Sequence, residues 1–305
     1  MVSVRLFEQI NVPIDVLINV PTIIMHRTKV ARYIILLMIF TLSMHSNADV
    51  VISTPWIQGG LIIGTVNPLH KLYFFEREVR INERGDFAFG LGRDVKPEIE
   101  LTEVKKNGES TVHRFMVEQR TYNEQKITGV PKRTVNVSEA ALPRIRKEVR
   151  AAKKARKVNS SLQSFLEKFI WPARGIISGV YGSRRYYNGV PKRPHYGVDV
   201  AAPEGSPVVA PASGIITLVH ENMYFSGGTI IMDHGHGVSS TFIHLHKSHV
   251  VVGDHVEQGQ LIAEIGSTGR STGPHLDWRM NWFDQRLDPQ LLMSDLPSPV
   301  LPPKS

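Results

Sequence analysis

From Trp171 onward, glycine and proline recur too often to leave room for a helix of ordinary length. Gly175, Gly179, Gly182, Pro191, Pro194, Gly197, Pro203, Gly205, Pro207, Pro211 and Gly214 punctuate the chain. In a helix interior glycine costs about 1 kcal/mol and proline about 3 kcal/mol, so the runs between them, such as Val208-Val209 and Gly214 to Val219, read as short strands. A compact antiparallel β-sheet domain is expected over 171–295, followed by a Pro-rich tail at 296–305. Val50 to about Val130 has a similar texture. Runs such as Leu61-Ile62-Ile63 and Lys71 to Phe75 alternate with turn signals at Gly59-Gly60, Gly85-Asp86 and Asn107-Gly108, which predicts a small antiparallel β-domain over 49–135. Ser138 to Phe169 contains no glycine. Leu142, Ile145, Val149, Leu162, Phe165 and Ile170 recur there at roughly helical spacing, so a basic linker helix is expected within 136–170. The fold class is therefore mainly β: an N-terminal antiparallel β-domain, a basic helix and a C-terminal antiparallel β-sheet domain.

Met25 to Ala48 has the three parts of a secretory signal. His26, Arg27, Lys29 and Arg32 lead into an apolar run from Tyr33 to Met44, and Ser46-Asn47-Ala48 follows. The run is shorter than the roughly 20 residues that a spanning helix needs. Ser46 and Ala48 place small residues before a cleavage point at Asp49. Residues 25–48 are thus expected to be a signal peptide with Met25 as the true start. Residues 1–24 read as a non-native extension, because Glu8, Pro13, Asp15 and Pro21 put an acidic, Pro-interrupted segment ahead of the basic region. The expected location is the periplasm, with secretion as the alternative. An uncleaved signal would leave the apolar run as a membrane anchor.

The chain has no cysteine, which closes disulfide frameworks, thiol nucleophiles, Cys-ligated zinc and lipid-modified cysteine anchors. A formal net charge of +8 suits a polyanionic neighbourhood: nucleic acid, an acidic membrane or an acidic wall polymer. Export and the lack of a base-reading motif argue against nucleic acid. The cations at Arg144, Arg146, Lys147, Arg150, Lys153, Lys154, Arg156 and Lys157 read as a solvated helix face.

Three polar pairs carry chemistry: His195 with Asp199, His244 with His246, and His275 with Asp277. Their spacings of two or four put both members of a pair on one face of an extended chain. A zinc site of the catalytic kind takes three imidazole or carboxylate ligands and leaves a position open for water. The pattern does not say which three of these residues serve. His234 and His236, in Asp233-His234-Gly235-His236-Gly237, belong to a hairpin turn and read as structural. Gly266, Gly269 and Gly273 let the loop before His275 turn tightly, and no Lys-Ser or Lys-Thr follows them to make a phosphate loop. Tyr181, Arg184, Arg185, Tyr186 and Asn188 are candidates to line a cleft.

Four ordered blocks sharpen this reading. Pro194 to Gly205, Phe242-Ile243-His244-Leu245, Gly253 to Gly259 and Gly266 to Leu276 together resemble the lysostaphin-type zinc metallopeptidases, the M23 family. The resemblance covers roughly the last 120 residues before the tail, and a β-domain plus basic helix ahead of it resembles the longer exported members. It implies zinc (Zn2+), with His195 and Asp199 as the first two metal ligands and His244 and His275 as the residues that polarise the scissile carbonyl and assist proton transfer. The third ligand of the family is the second histidine of a His-x-His pair, and here that position is Asp277. His246 falls outside the motif and reads as a surface residue. Carboxylate is an acceptable zinc ligand, so Asp277 is taken as the third. Two carboxylates make the ion a weaker Lewis acid and shift preference toward harder ions such as manganese (Mn2+). The implied activity is hydrolysis of peptide cross-bridges in peptidoglycan. The alternative is a catalytically impaired M23-like domain that binds wall peptides or activates a cell-wall amidase as an envelope protein partner.

Overall fold

The computed structural model describes residues 50–127, 137–187, 190–191 and 193–293. The signal peptide, the 1–24 extension, Asn188 and the Pro-rich tail lie outside the described residues. The first β region is built from β1 (Val50–Ile52), β2 (Leu61–Val66), β3 (Lys71–Phe74), β4 (Arg77–Val79), β5 (Asp86–Gly90), β6 (Glu98–Val104), β7 (Ser110–Met116) and β8 (Glu124–Ile127). Strands β1-β2-β5 form one antiparallel sheet and β4-β3-β6-β7 another. Period-two patterning explains them. In β6, Ile99, Leu101 and Glu103 are buried while Glu98 and Glu100 face water. The buried Glu103 is met by two imidazoles, His70 at 2.5 Å and His113 at 2.8 Å.

Helix α1 (Leu142–Arg156) carries Pro143 in its first turn and Lys153, Lys154 and Arg156 in its last, where each suits the helix geometry and dipole. It is shorter than the glycine-free stretch. After Lys157 the chain runs into Asn159-Ser160-Ser161, whose side chains compete for backbone hydrogen bonds, and only a 3-10 turn at Ser164–Leu166 follows. Arg146, Lys147, Arg150, Lys153 and Lys154 are exposed. The opposite side of the helix packs Ala152 and Ala155 onto Leu218, Met223 and Ile231.

The second β region contains β9 (Ile176–Gly179), β10 (Arg184–Tyr187), β11 (Val190–Pro191), β12 (Val198–Ala201), β13 (Pro207–Val209), β14 (Gly214–Met223), β15 (Gly227–Gly235), β16 (Val238–Ser248), β17 (His255–Val256), β18 (Leu261–Ile265), β19 (His275–Trp282) and β20 (Gln285–Leu287). The main sheet runs β17-β14-β15-β16-β19-β12-β9, with β18 beside β16 and β20 beside β19. Its pairings are antiparallel. As the glycine and proline density predicts, Trp171 to Met293 holds no α-helix among the described residues, only a 3-10 turn at Pro289–Leu292. None of the described helices is long and apolar enough to cross a membrane.

The two β regions share one core. Phe74 and Phe89 reach the Trp282 ring with centroids at 6.0 and 6.4 Å. Gly90 abuts Leu287 and Trp282, Arg120 pairs with Asp288 at 2.8 Å, and β8 joins β10 in parallel register. The first region therefore braces β19 and β20. Phe89→Ala should cost about 3–5 kcal/mol. Guanidinium unfolding followed by tryptophan fluorescence and far-UV circular dichroism should show one shared transition moving to lower denaturant.

Candidate metal centre and its flanking histidines

In β19 the even-numbered residues Leu276, Trp278, Met280 and Trp282 go into the core. Alternation sends His275, Asp277, Arg279 and Asn281 to the other face. Strand β12 pairs with β19 so that Asp199 stands directly opposite Asp277. Space for the two carboxylates comes from glycine. A Cβ at Gly179 would fall 2.2 Å from Asp199 Oδ2, and one at Gly197 would fall 2.4 Å from Asp277 Oδ1.

His195 lies just ahead of β12 and is held by backbone bonds with Gly182 and Ser183. Its Nε2 stands 3.1 Å from Asp199 Oδ1 and is buried without a hydrogen-bond partner. His195, Asp199 and Asp277 each offer a ligand atom, all within 4.8 Å of one another. One imidazole, whose buried Nε2 has no hydrogen-bond partner, and two carboxylates are a donor set that fits a divalent cation.

His244 and His275 lie alongside, ring centroids 4.8 Å apart, and His275 Nε2 is 3.9 Å from Asp199 Oδ1. Each ring is pinned through Nδ1, which donates to Thr268 O at 2.8 Å in His244 and to Gly273 O at 2.8 Å in His275. That tautomer leaves Nε2 of both rings as the basic nitrogen. Burial lowers the His244 pKa further than the Thr268 bond and Asp277 raise it. His244 also sits at φ 66°, a conformation that non-glycine residues hold only where their surroundings impose it. Its N–H donates to Ser226 O at 2.8 Å, and Thr268 Oγ1 accepts from Gly228 N. The β14–β15 hairpin that supplies Ser226 is in turn held by α1, where the buried Glu148 accepts from Tyr224 N at 2.8 Å. Gly269 is the loop glycine at positive φ, +71°, among Gly266, Gly269 and Gly273.

The remaining candidates separate. His246 is exposed and 3.3 Å from Glu204; a register shift beyond Leu245 breaks the period-two relation to His244. His234 is buried between Ser213 O and Ser240 Oγ, and His236 packs against the Phe165 ring in a tilted arrangement. Tyr181 does not line the cleft. It is buried, its hydroxyl donates to Arg286 O at 2.8 Å, and the rings of Tyr122 and Tyr196 pack beside it. Arg184 and Tyr186 lie in the small sheet with β8, where Tyr186 meets Glu124.

Sequence reasoning missed Arg279. Its Nε donates to Asp277 Oδ1 at 2.9 Å and its Nη2 to Oδ2 at 2.5 Å. Burial alone would raise the Asp277 pKa, but the charge and hydrogen bonds of Arg279, with His195 and His244, hold it well below the carboxylate range. The signal was Asp-x-Arg in a strand, which puts opposite charges on one face.

The family model described as Peptidase family M23 matches residues 193–289. Peptidoglycan DD-endopeptidase ShyA of Vibrio cholerae is 34% identical over 126 residues, which are 41% of this chain and 29% of that protein. DD-carboxypeptidase/endopeptidase Mpg of Neisseria meningitidis is 37% identical over 125 residues, 41% of this chain and 28% of that protein. The chain thus spans less than a third of the length of these curated relatives. A crystal structure of a candidate M23 peptidase from Pseudomonas aeruginosa superposes with a TM-score of 0.63 at 26% identity, covering 80% of this chain and 97% of that one.

The structural histidines carry a pH prediction. Burial pulls His234 and His236 down to about 4, so the folded state excludes protons that the unfolded chain binds below about 6.5. Stability should be unaffected by these groups above pH 6.5 and fall as pH drops from there to about 4. Urea unfolding across that window should show the slope, and His234→Asn should flatten it.

Proposed function

We propose that this chain, whose residues 193–289 are a peptidase family M23 domain, is a metal-dependent endopeptidase that hydrolyses amide bonds in the peptide cross-bridges of peptidoglycan. The observation that carries the proposal is the convergence of His195, Asp199 and Asp277 within 4.8 Å beside the paired rings of His244 and His275. The activities for which ShyA and Mpg are named support the endopeptidase reaction, and that of ShyA supports peptidoglycan as the substrate. His195, Asp199 and Asp277 are the residues that would hold the metal, zinc in the first instance, with manganese the alternative because two of the three donors are oxygen. Such an ion supplies Lewis acidity toward the scissile carbonyl and acidifies water at its open position.

The chain's own residues supply proton handling and order. With Nδ1 anchored on a backbone carbonyl, His244 and His275 each present Nε2 to take up a proton or return it to the leaving amine. Burial keeps His244 in the neutral form that accepts one. The fixed ring positions mean that little reorganisation is needed when charge develops on the carbonyl oxygen. Work on the cell wall accords with export directed by residues 25–48 and a periplasmic site of action.

Digestion of purified sacculi by the chain beginning at Asp49 tests this reading. Soluble peptide release should vanish with a chelator and return on adding zinc. His244→Ala and His275→Ala should each lower the rate by about 100-fold or more, and Asp277→Ala should abolish metal retention. Undiminished release from both histidine variants would sink the mechanism. Absence of metal and of release from the wild type would leave a domain that binds wall peptides or activates a separate amidase.

A further inference from the structure

Asp277 already has a cation. Arg279, two residues on and on the same face of β19, spans both carboxylate oxygens with a two-pronged fork at 2.9 and 2.5 Å. We propose that Arg279 is a resident counter-cation that sets the metal affinity of this centre low, so that a divalent ion loads by exchange against the guanidinium on Asp277. The inference rests on reading His195, Asp199 and Asp277 as the ligands.

Three observations carry it. The fork engages both oxygens, so an ion must share a carboxylate whose electron density is already drawn toward a positive group. Partners behind histidine ligands are commonly acceptors that raise ligand basicity, whereas a carboxylate ligand takes donors; Arg279 is a donor that also carries a full positive charge, which lowers the basicity of Asp277. The charge arithmetic also singles it out. A His-Asp-Asp set carries two negative charges, and with Arg279 the group carries one, the charge of the His-Asp-His set to which the family resemblance points. Finally, Arg279 shares its surroundings with other cations. Arg286 is tied to Asn281, the next residue on its face, at 3.1 Å. Like charge from Arg156 and Arg279 adds to burial in lowering the Arg286 pKa to about 9. These neighbouring cations add to the positive field that an incoming ion meets. The metal-free chain keeps its buried Asp277 compensated and folds without an ion.

The test is the zinc dissociation constant of the chain from Asp49, measured without substrate by competition with a chromophoric chelator. Wild type, R279M, R279K and H195A are compared, with circular dichroism to check folding. R279M, which removes the charged hydrogen bonds that compete for Asp277, should bind zinc about tenfold more tightly or better. R279K, a point charge without the fork, should fall between R279M and wild type. The metal-free R279M protein should melt at a lower temperature than wild type and recover with zinc. Should R279M fold only with zinc, R279K remains the measure, and an affinity equal to wild type overturns the proposal. Binding lost in H195A but unchanged or weakened in R279M overturns the role of Arg279 alone. Zinc bound equally by H195A and wild type, or by none of the proteins, overturns the ligand reading and the inference with it.

Discussion

Two carboxylates, Asp199 and Asp277, face each other across the β12–β19 ladder in a buried position. Like charges directly opposite in a sheet destabilise it, and burial makes each charge more costly. The surroundings answer at Asp277 with the Arg279 fork, while His195 Nε2 stands 3.1 Å from Asp199 Oδ1 without a hydrogen bond. Much of the site follows from this constraint. Gly179 and Gly197 give up side chains to make room. His195 brings its ring nitrogen within 4.8 Å of a ligand atom from each carboxylate.

The rest of the fold holds that ladder in register. Trp278 and Trp282 anchor the core face of β19, and Phe74 and Phe89 from the first β region close on Trp282. On the site face, Ile231, Thr241 and Arg279 line up across three neighbouring strands. Helix α1 packs on Ile231, so it covers the same face that carries Asp277. Through Glu148 it also steadies the hairpin whose Ser226 receives the His244 amide. The helix expected as a linker between domains is thus part of the support for the site.

Much of this was legible beforehand. Glycine and proline density excluded helices after Trp171, and period-two spacing put His275 and Asp277 on one face, because both signals are local. The segment after Arg156 was less legible. Leu162, Phe165 and Ile170 continue an apolar rhythm, yet local competition from Asn159, Ser160 and Ser161 ends the helix, and Phe165 is buried from a 3-10 turn instead. Tyr181 reads as a cleft residue, but a phenol also suits a core position, and only the packing around it decides. His246 mimics a partner of His244 until the shift in register turns it outward.

Residue identity and short-range periodicity settled the β class, the exclusion of thiol chemistry and the set of imidazoles and carboxylates from which a site could be drawn. These depend on backbone preferences and donor chemistry that act over a few residues. Pairing of β12 with β19, the left-handed turn at His244 and the brace from α1 were decided only in three dimensions. They join segments tens of residues apart, where packing and the compensation of buried charge outweigh local preference. The grip of Arg279 on Asp277 is the sharpest case. Its two members are neighbours in the strand, but whether they clasp each other or point to other partners depends on what the rest of the sheet leaves beside them.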